Sequence, residues 1–167
     1  PENGPYIVAA KHQSAYETMK LHALFGDPSI VLKKELLRIP LWGQFLKKVD
    51  VIAIDRSNRE EAMESIVRGA QRMKDQGRPI VIFPQGTRVP VNITPETKPY
   101  KGGIAKMAEA TGLPVIPMAL NSGLFWAKNS FMRYPGRVVF EFLPPIPVTQ
   151  DRAKTMHDIQ SAIEDHS

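Results

Sequence analysis

Seven consecutive residues, Lys11-His12-Gln13-Ser14-Ala15-Tyr16-Glu17, bring a histidine and a carboxylate within one turn of each other. A short apolar run, Tyr6 to Ala10, precedes them and a helical pattern follows. A histidine at such a strand-to-helix turn presents its ring to a cleft, and a carboxylate one turn into the helix can reach back to it. That carboxylate would fix the imidazole tautomer and stabilise the imidazolium formed when the ring takes a proton from a hydroxyl. The same letters carry a second meaning. Ser14-x-x-Glu17 is also a capping-box pattern, in which Glu17 bonds the Ser14 backbone N–H and does no chemistry. Glu17→Gln separates the two, because a glutamine still closes the box with little change in stability but cannot stabilise an imidazolium.

Two further stretches offer polar groups just after apolar runs. Arg56 follows Val51 to Ile54, and Phe83-Pro84-Gln85-Gly86-Thr87-Arg88 follows Pro79 to Ile82. The second combines a rigid proline, a glycine that lets a ligand approach the backbone, a hydroxyl and a guanidinium. Arginines on neighbouring loops can clamp a phosphate, with bidentate geometry at best. Taken singly, an arginine after a strand is usually a solvated charge. Trp42 and the methionine stripes read as core.

The elements that position these groups follow from the apolar pattern. Strands are expected at Tyr6 to Ala10, Ser29 to Leu32, Val51 to Ile54, Pro79 to Phe83, Val115 to Leu120 and Arg137 to Leu143. Helices are expected from Ser14 to Phe25, Arg59 to Lys74, Gly103 to Thr111 and Asp151 to Asp165, with Asn58 and Glu61 as a capping box for the second. Lys33 to Lys48 is mixed and interrupted by Pro40. The loop from Pro84 to Tyr100 carries four prolines and is too long for a mere connection. Asn121 to Gly136 reads as a loop or broken helix. Alternating strands and helices give an α/β class: a single domain with a largely parallel mixed sheet flanked by helices. In that class ligands gather where loops leave the carboxyl ends of strands, which is where His12, Arg56 and Phe83 to Arg88 fall.

Composition narrows the chemistry. The 167 residues suffice for one domain with a real core. There are 22 Lys and Arg against 17 Asp and Glu, a net charge of +5, which suits an anionic partner. With no cysteine, disulfides, thiolate metal sites and cysteine nucleophiles are excluded. No G-x-S-x-G elbow surrounds Ser14, which argues against a serine hydrolase. The aromatics do not interleave with a basic stripe, so nucleic acid is not an expected partner. The chain starts at Pro1 rather than Met and reads as a piece of a longer protein, its 167 residues forming one domain.

Four ordered blocks resemble the glycerolipid acyltransferase family, which includes the bacterial 1-acyl-sn-glycerol-3-phosphate acyltransferases. His12 to Glu17 resembles the H-x4-D motif, Ile52-Ala53-Ile54-Asp55-Arg56 the second block, Phe83 to Arg88 the F-P-E-G-T-R block, and Leu113-Pro114-Val115-Ile116-Pro117 the fourth. Glu17 stands where the family usually has Asp, and Gln85 where it usually has Glu. The resemblance implies a glycerol-3-phosphate acyltransferase-like fold, with His12 as base oriented by Glu17, the lysolipid phosphate on Arg56 and Arg88, and Phe83, Pro84, Gln85, Gly86 and Thr87 lining the site. Backbone N–H groups near Gly86 would meet the oxyanion. The implied reaction moves an acyl group from acyl-CoA or acyl-acyl carrier protein (acyl-ACP) to the sn-2 hydroxyl of lysophosphatidic acid, with no metal or other cofactor. It also implies work at the cytoplasmic face of a bacterial inner membrane and an amino-terminal membrane-associating segment that this chain lacks. Another lipid acceptor, such as glycerol 3-phosphate or a lyso-ornithine lipid, and a non-catalytic lipid-binding module remain the alternatives. Lys33 to Lys48, with five basic residues among Leu36, Leu37, Leu41, Trp42, Phe45 and Leu46, reads either as a helix pair facing the core or as a surface lying on anionic lipid.

Overall fold

The strands are short and apolar, as buried parallel strands are. In the computed structural model, which describes residues 4–167, β1 (Ile7–Ala10), β2 (Ser29–Lys33), β3 (Ile52–Ile54), β4 (Ile80–Ile82), β5 (Val115–Leu120) and β6 (Phe140–Phe142) form one six-stranded sheet in the order β3-β2-β4-β1-β5-β6. All pairings are parallel except β5 with β6. Every residue of β1 is buried, because the sheet is covered on both faces. Side chains alternate across it: Ile7 and Ala9 face one core, Val8 and Ala10 the other.

One face carries α3 (Arg59–Asp75), α4 (Gly103–Thr111) and α6 (Arg152–Asp165), packed on Ile7, Ile52, Ile80 and Val115. The other is covered by α1 (Tyr16–Phe25), whose Leu21 sits on Val8, Ile30 and Val81. The register of β2 with β4 covers only Ser29–Ile80 and Ile30–Val81; from Val31 onward β2 pairs with β3 alone. The carboxyl ends of β2 and β4 therefore part, and cavities open there.

Helix boundaries match the sequence pattern closely, with differences that have local causes. Asn58 caps α3 by accepting from the N–H groups of Glu60 and Glu61. Glu61 closes on the Asn58 side-chain amide at 2.9 Å rather than on its backbone N–H. Ser14 does not stand at the N-cap of α1; Ala15 does, and Ser14 Oγ accepts from Tyr16 N at 3.2 Å. The expected strand from Arg137 to Leu143 shrinks to Phe140–Phe142, since only Met118, Ala119 and Leu120 face it. Asn121 to Gly136 opens with a single turn, α5 (Ser122–Phe125). Lys33 to Lys48 resolves into a 3₁₀ turn at Lys34–Arg38 and α2 (Trp42–Lys48), with Pro40 between them.

Loss of the α3 cap should be felt on its own. Asn58→Ala is expected to lower the unfolding free energy by about 1 kcal/mol, read from urea titration of both proteins. A change within experimental error would mean that the two N–H groups find water at no cost.

Candidate active site

The end of β1 delivers His12 to the carboxyl edge of the sheet. Its ring lies on Phe83 with centroids 4.0 Å apart and planes 20° from parallel. Its Nδ1 is 3.0 Å from Glu17 Oε1. A neutral ring that donates from Nδ1 to a carboxylate carries its lone pair on Nε2, the state a general base requires.

Glu17 is fully buried. Besides His12, its Oε1 accepts from Gln13 N and Ser14 N, both at 2.7 Å. Its Oε2 accepts from Ser122 Oγ at 2.7 Å. Glu17 thus closes onto the Ser14 backbone and orients His12 with one oxygen, so the two readings of the motif describe the same carboxylate. Burial alone would push this carboxyl up. Hydrogen bonds from His12, Ser14 and Ser122, with the field of the imidazole, outweigh that and hold it below the ordinary glutamate value.

Other residues grip His12 from behind. Gln85, buried, accepts from His12 N at 2.9 Å through Oε1, and Val89 N donates to His12 O at 2.8 Å. The task at position 85 is to accept a backbone hydrogen bond, which a glutamine does without charge. Gln13 Oε1 accepts from Gly123 N at 3.0 Å and ties the motif to α5. Lys11, 3% exposed, donates to Glu164 Oε2 at 2.8 Å, and Tyr100 donates its hydroxyl to Glu164 Oε1 at 2.6 Å. Burial, and then the carboxylate it bonds, push the Tyr100 hydroxyl far up. Ser122, Lys11 and Glu164 were not among the expected site residues. The available signal for Ser122 was a polar Asn-Ser pair directly after the six-residue buried strand β5.

The cations gather at Gly86. Arg56 donates from NH1 to the Gly86 carbonyl, while its buried Nε has no hydrogen-bond partner among the described residues. Gly86 has a φ of +71°, and a Cβ there would meet Lys101 Nζ at 3.0 Å and Arg56 NH1 at 3.2 Å. The residue thus needs to be glycine for its backbone angle and for the space the two cations occupy. Burial lowers the Lys101 pKa, and Arg56, Lys98 and Lys33 lower it further. Burial also lowers that of Arg56, against the pull of Glu35. Arg88 and Thr87 line the same cavity as His12 and Arg56, but the cation that joins Arg56 at Gly86 is Lys101. The backbone turn is closed by Gly86 N donating to Phe83 O and Lys101 N to Pro84 O, both at 2.9 Å. Of the N–H groups near Gly86 expected to meet an oxyanion, that of Gly86 itself is therefore already engaged.

Two cavities flank this point. One, of about 510 Å³, is lined by His12, Arg56, Thr87 and Arg88 with Met19, Leu36, Trp42 and Phe45. The other, of about 390 Å³, lies on the α3 side and shares Arg56, Phe83 and Gly86 with the first. Trp42 is a half-exposed cavity wall and not core, because α2 turns that side away from the sheet.

The family model "Acyltransferase" matches residues 1–121. The chain belongs to the acyltransferase family. The chain is 40% identical over 134 residues to a 1-acyl-sn-glycerol-3-phosphate acyltransferase of Pseudomonas aeruginosa, covering 80% of the chain and 51% of the relative. It is 33% identical over 149 residues to the Escherichia coli protein of the same description, covering 88% and 59%. The chain spans about half the length of these curated relatives. Its fold is that of the 1-acyl-sn-glycerophosphate acyltransferase of Thermotoga maritima, with a TM-score of 0.79 at 20% identity over 99% of this chain and 66% of the other.

The burial of Glu17 corrects the expectation that Glu17→Gln spares stability. At neutral pH the acyltransferase carrying glutamine should be less stable by about 1.5–3 kcal/mol, the range for hydrogen bonds to a charged group. The sign follows from the lowered pKa. Stability from ionised Glu17 is complete above the ordinary value near 4.5 and is lost as pH falls through the lower folded value. The gap between wild type and Glu17→Gln, measured by urea unfolding across the acid range, should therefore narrow toward low pH. A gap that is constant or widens on acidification would show that Glu17 does not carry the charge.

Proposed function

We propose that this acyltransferase moves a fatty acyl group from an acyl thioester to the sn-2 hydroxyl of lysophosphatidic acid. The observation that carries the reading is a carboxylate-oriented histidine in the same apolar-walled cavity as Arg56; among the described residues neither Arg56 nor its neighbour Lys101 has a carboxylate at hydrogen-bonding distance. The relatives described by that activity support it.

His12 Nε2 takes the hydroxyl proton as the oxygen attacks the thioester carbon. Glu17 stabilises the imidazolium. The tetrahedral oxyanion then collapses, the C–S bond breaks, and the thiolate takes the proton back from His12. Phosphatidic acid and a free thiol result. Acyl-CoA and acyl-ACP offer the same thioester, so either serves as co-substrate. The phosphate sits against Arg56 and Lys101, with Arg88 in the His12 cavity as a further contact. An anion there relieves the repulsion that, after burial, lowers the Lys101 pKa.

A lysolipid resides in a bilayer, so the site works at a membrane surface; with a cytosolic donor this is the cytoplasmic face. Among the described residues no helix is long and apolar enough to cross a membrane. Ile39, Leu41, Trp42 and Phe45 are exposed beside Lys33, Lys34, Arg38, Lys47 and Lys48, which supports lipid contact by this segment.

The test is release of free thiol with lysophosphatidic acid, glycerol 3-phosphate and a lyso-ornithine lipid as acceptors. His12→Ala should lower turnover by roughly 10²- to 10⁴-fold with the fold intact; a folded variant keeping a tenth of the rate would remove His12 from the chemistry. Arg56→Ala or Lys101→Ala should raise KM for the lysolipid by roughly 10- to 100-fold, as loss of a charge-assisted hydrogen bond does, and spare KM for the donor. Equal effects on both substrates would place the phosphate elsewhere.

A further inference from the structure

The loop between β5 and β6 leaves the carboxyl end of β5, the edge of the sheet at which β1 delivers His12. Within it, Phe131, Met132, Arg133, Tyr134, Pro135, Gly136 and Arg137 are all exposed, Phe131 to 94%. Leu124, in the single turn of α5, is exposed as well. Three large apolar side chains in a row of exposed residues are costly in water unless something covers them.

The exposure does not come from a slack segment. Asn121 holds the returning chain, accepting from Val139 N at 2.8 Å and donating to Arg137 O at 3.3 Å. Tyr134 N donates to Phe125 O at 2.9 Å. Gly136 lies against the Phe125 ring, where a Cβ would come within 1.9 Å of it, and Arg133 stacks over Trp126 at 4.0 Å. The fold thus holds Phe131 and Met132 outward.

The charge of the loop identifies what would cover it. Lys128, Arg133 and Arg137 stand among these apolar groups, and no Asp or Glu occurs from residue 110 to residue 140. Apolar and aromatic side chains ringed by cations without acids fit an anionic lipid surface, the rings at the interface and the cations at the headgroups.

Position supports this. The segment after β2 holds Leu41 82% exposed, in a tight turn with a φ of +63° closed by Trp42 N donating to Pro40 O. That segment also follows a carboxyl strand end. In the sheet order, β4 and β1 lie between β2 and β5. The two apolar, basic patches thus stand on either side of His12 and the Phe83–Arg88 turn.

We propose that the Leu124–Arg137 loop is a second bilayer contact, which with the Ile39–Phe45 segment seats the mouth of the His12 cavity on anionic lipid. The inference rests on the reading that the acceptor is a membrane lipid.

The two tryptophans, Trp42 and Trp126, fall one in each patch, so Trp42→Phe leaves a single reporter in the loop. That protein is mixed with vesicles of phosphatidylcholine and phosphatidylglycerol, the latter brominated in its acyl chains. Trp126 fluorescence is expected to be quenched on these vesicles and not on neutral vesicles of brominated phosphatidylcholine. Phe131→Asp with Met132→Asp should lower the vesicle partition constant by about tenfold or more, with unchanged melting because both side chains are solvent-exposed. A bound protein whose Trp126 stays unquenched overturns the proposal, as does a partition constant indifferent to the double change. A loop covered instead by a second copy, or by more of the same polypeptide, gives that unquenched result. The two readings fail separately: quenching in Trp42→Phe beside a wild-type protein that does not acylate lysophosphatidic acid sinks the substrate assignment alone, and an active wild type without quenching in that variant sinks the docking surface alone.

Discussion

A carboxylate with no exposure to water must have its charge met from inside the protein. At Glu17 it is met by four donors from three places in the chain: the His12 ring, the backbone of Gln13 and Ser14, and the hydroxyl of Ser122. These donors are in reach only if β1 ends at Ala10, if α1 starts at Tyr16, and if β5 runs parallel beside β1 so that α5 begins next to the turn. The sheet register that pairs Ala10 with Met118 is thus also a condition on the chemistry. The same carboxylate fixes the imidazole tautomer, so satisfying a buried charge and preparing a base are one arrangement.

A second electrostatic situation lies a few ångströms away and is of the opposite kind. Arg56 and Lys101 converge on Gly86, and the charges that perturb Lys101 are all positive. Folding the protein holds these cations together against their repulsion, and partial burial intensifies it. Such an arrangement is a cost to the empty protein that an anion can remove. The fold thus keeps two kinds of charge near His12, a buried carboxylate whose oxygens are met by donors and a pair of cations whose mutual repulsion it leaves standing.

Much of this was legible in the sequence. Short apolar runs located the strands and period-3.6 stripes most of the helices, because burial on both faces or on one is what those patterns record. The motif His12 to Glu17 was legible since its members are near in sequence and its donors are local. Ser122 and Glu164 were not, because their partners lie 105 and 153 positions away and no periodicity marks a single long-range contact. Lys101 was hidden among other lysines; only the φ and crowding at Gly86 reveal that it stands beside Arg56. Trp42 was misread as core for a related reason: apolar character says that a side chain avoids water, not which surface it uses to do so. The strand at β6 was expected too long because Val138 and Val139 have strand propensity but no partner strand to pair with.

The link from Lys11 to Glu164 reaches beyond the recognisable family region, which ends at residue 121. A buried ammonium adjoins His12, and the carboxylate that neutralises it arrives with the last turn of α6. Removing one partner of such a pair typically costs about 3–5 kcal/mol. The smallest unit that can sustain the site is therefore longer than the stretch that the family model matches. Shortening the chain to its family boundary would strand a positive charge one residue from the base, and the damage would show as failed assembly of the active centre rather than as a missing catalytic group.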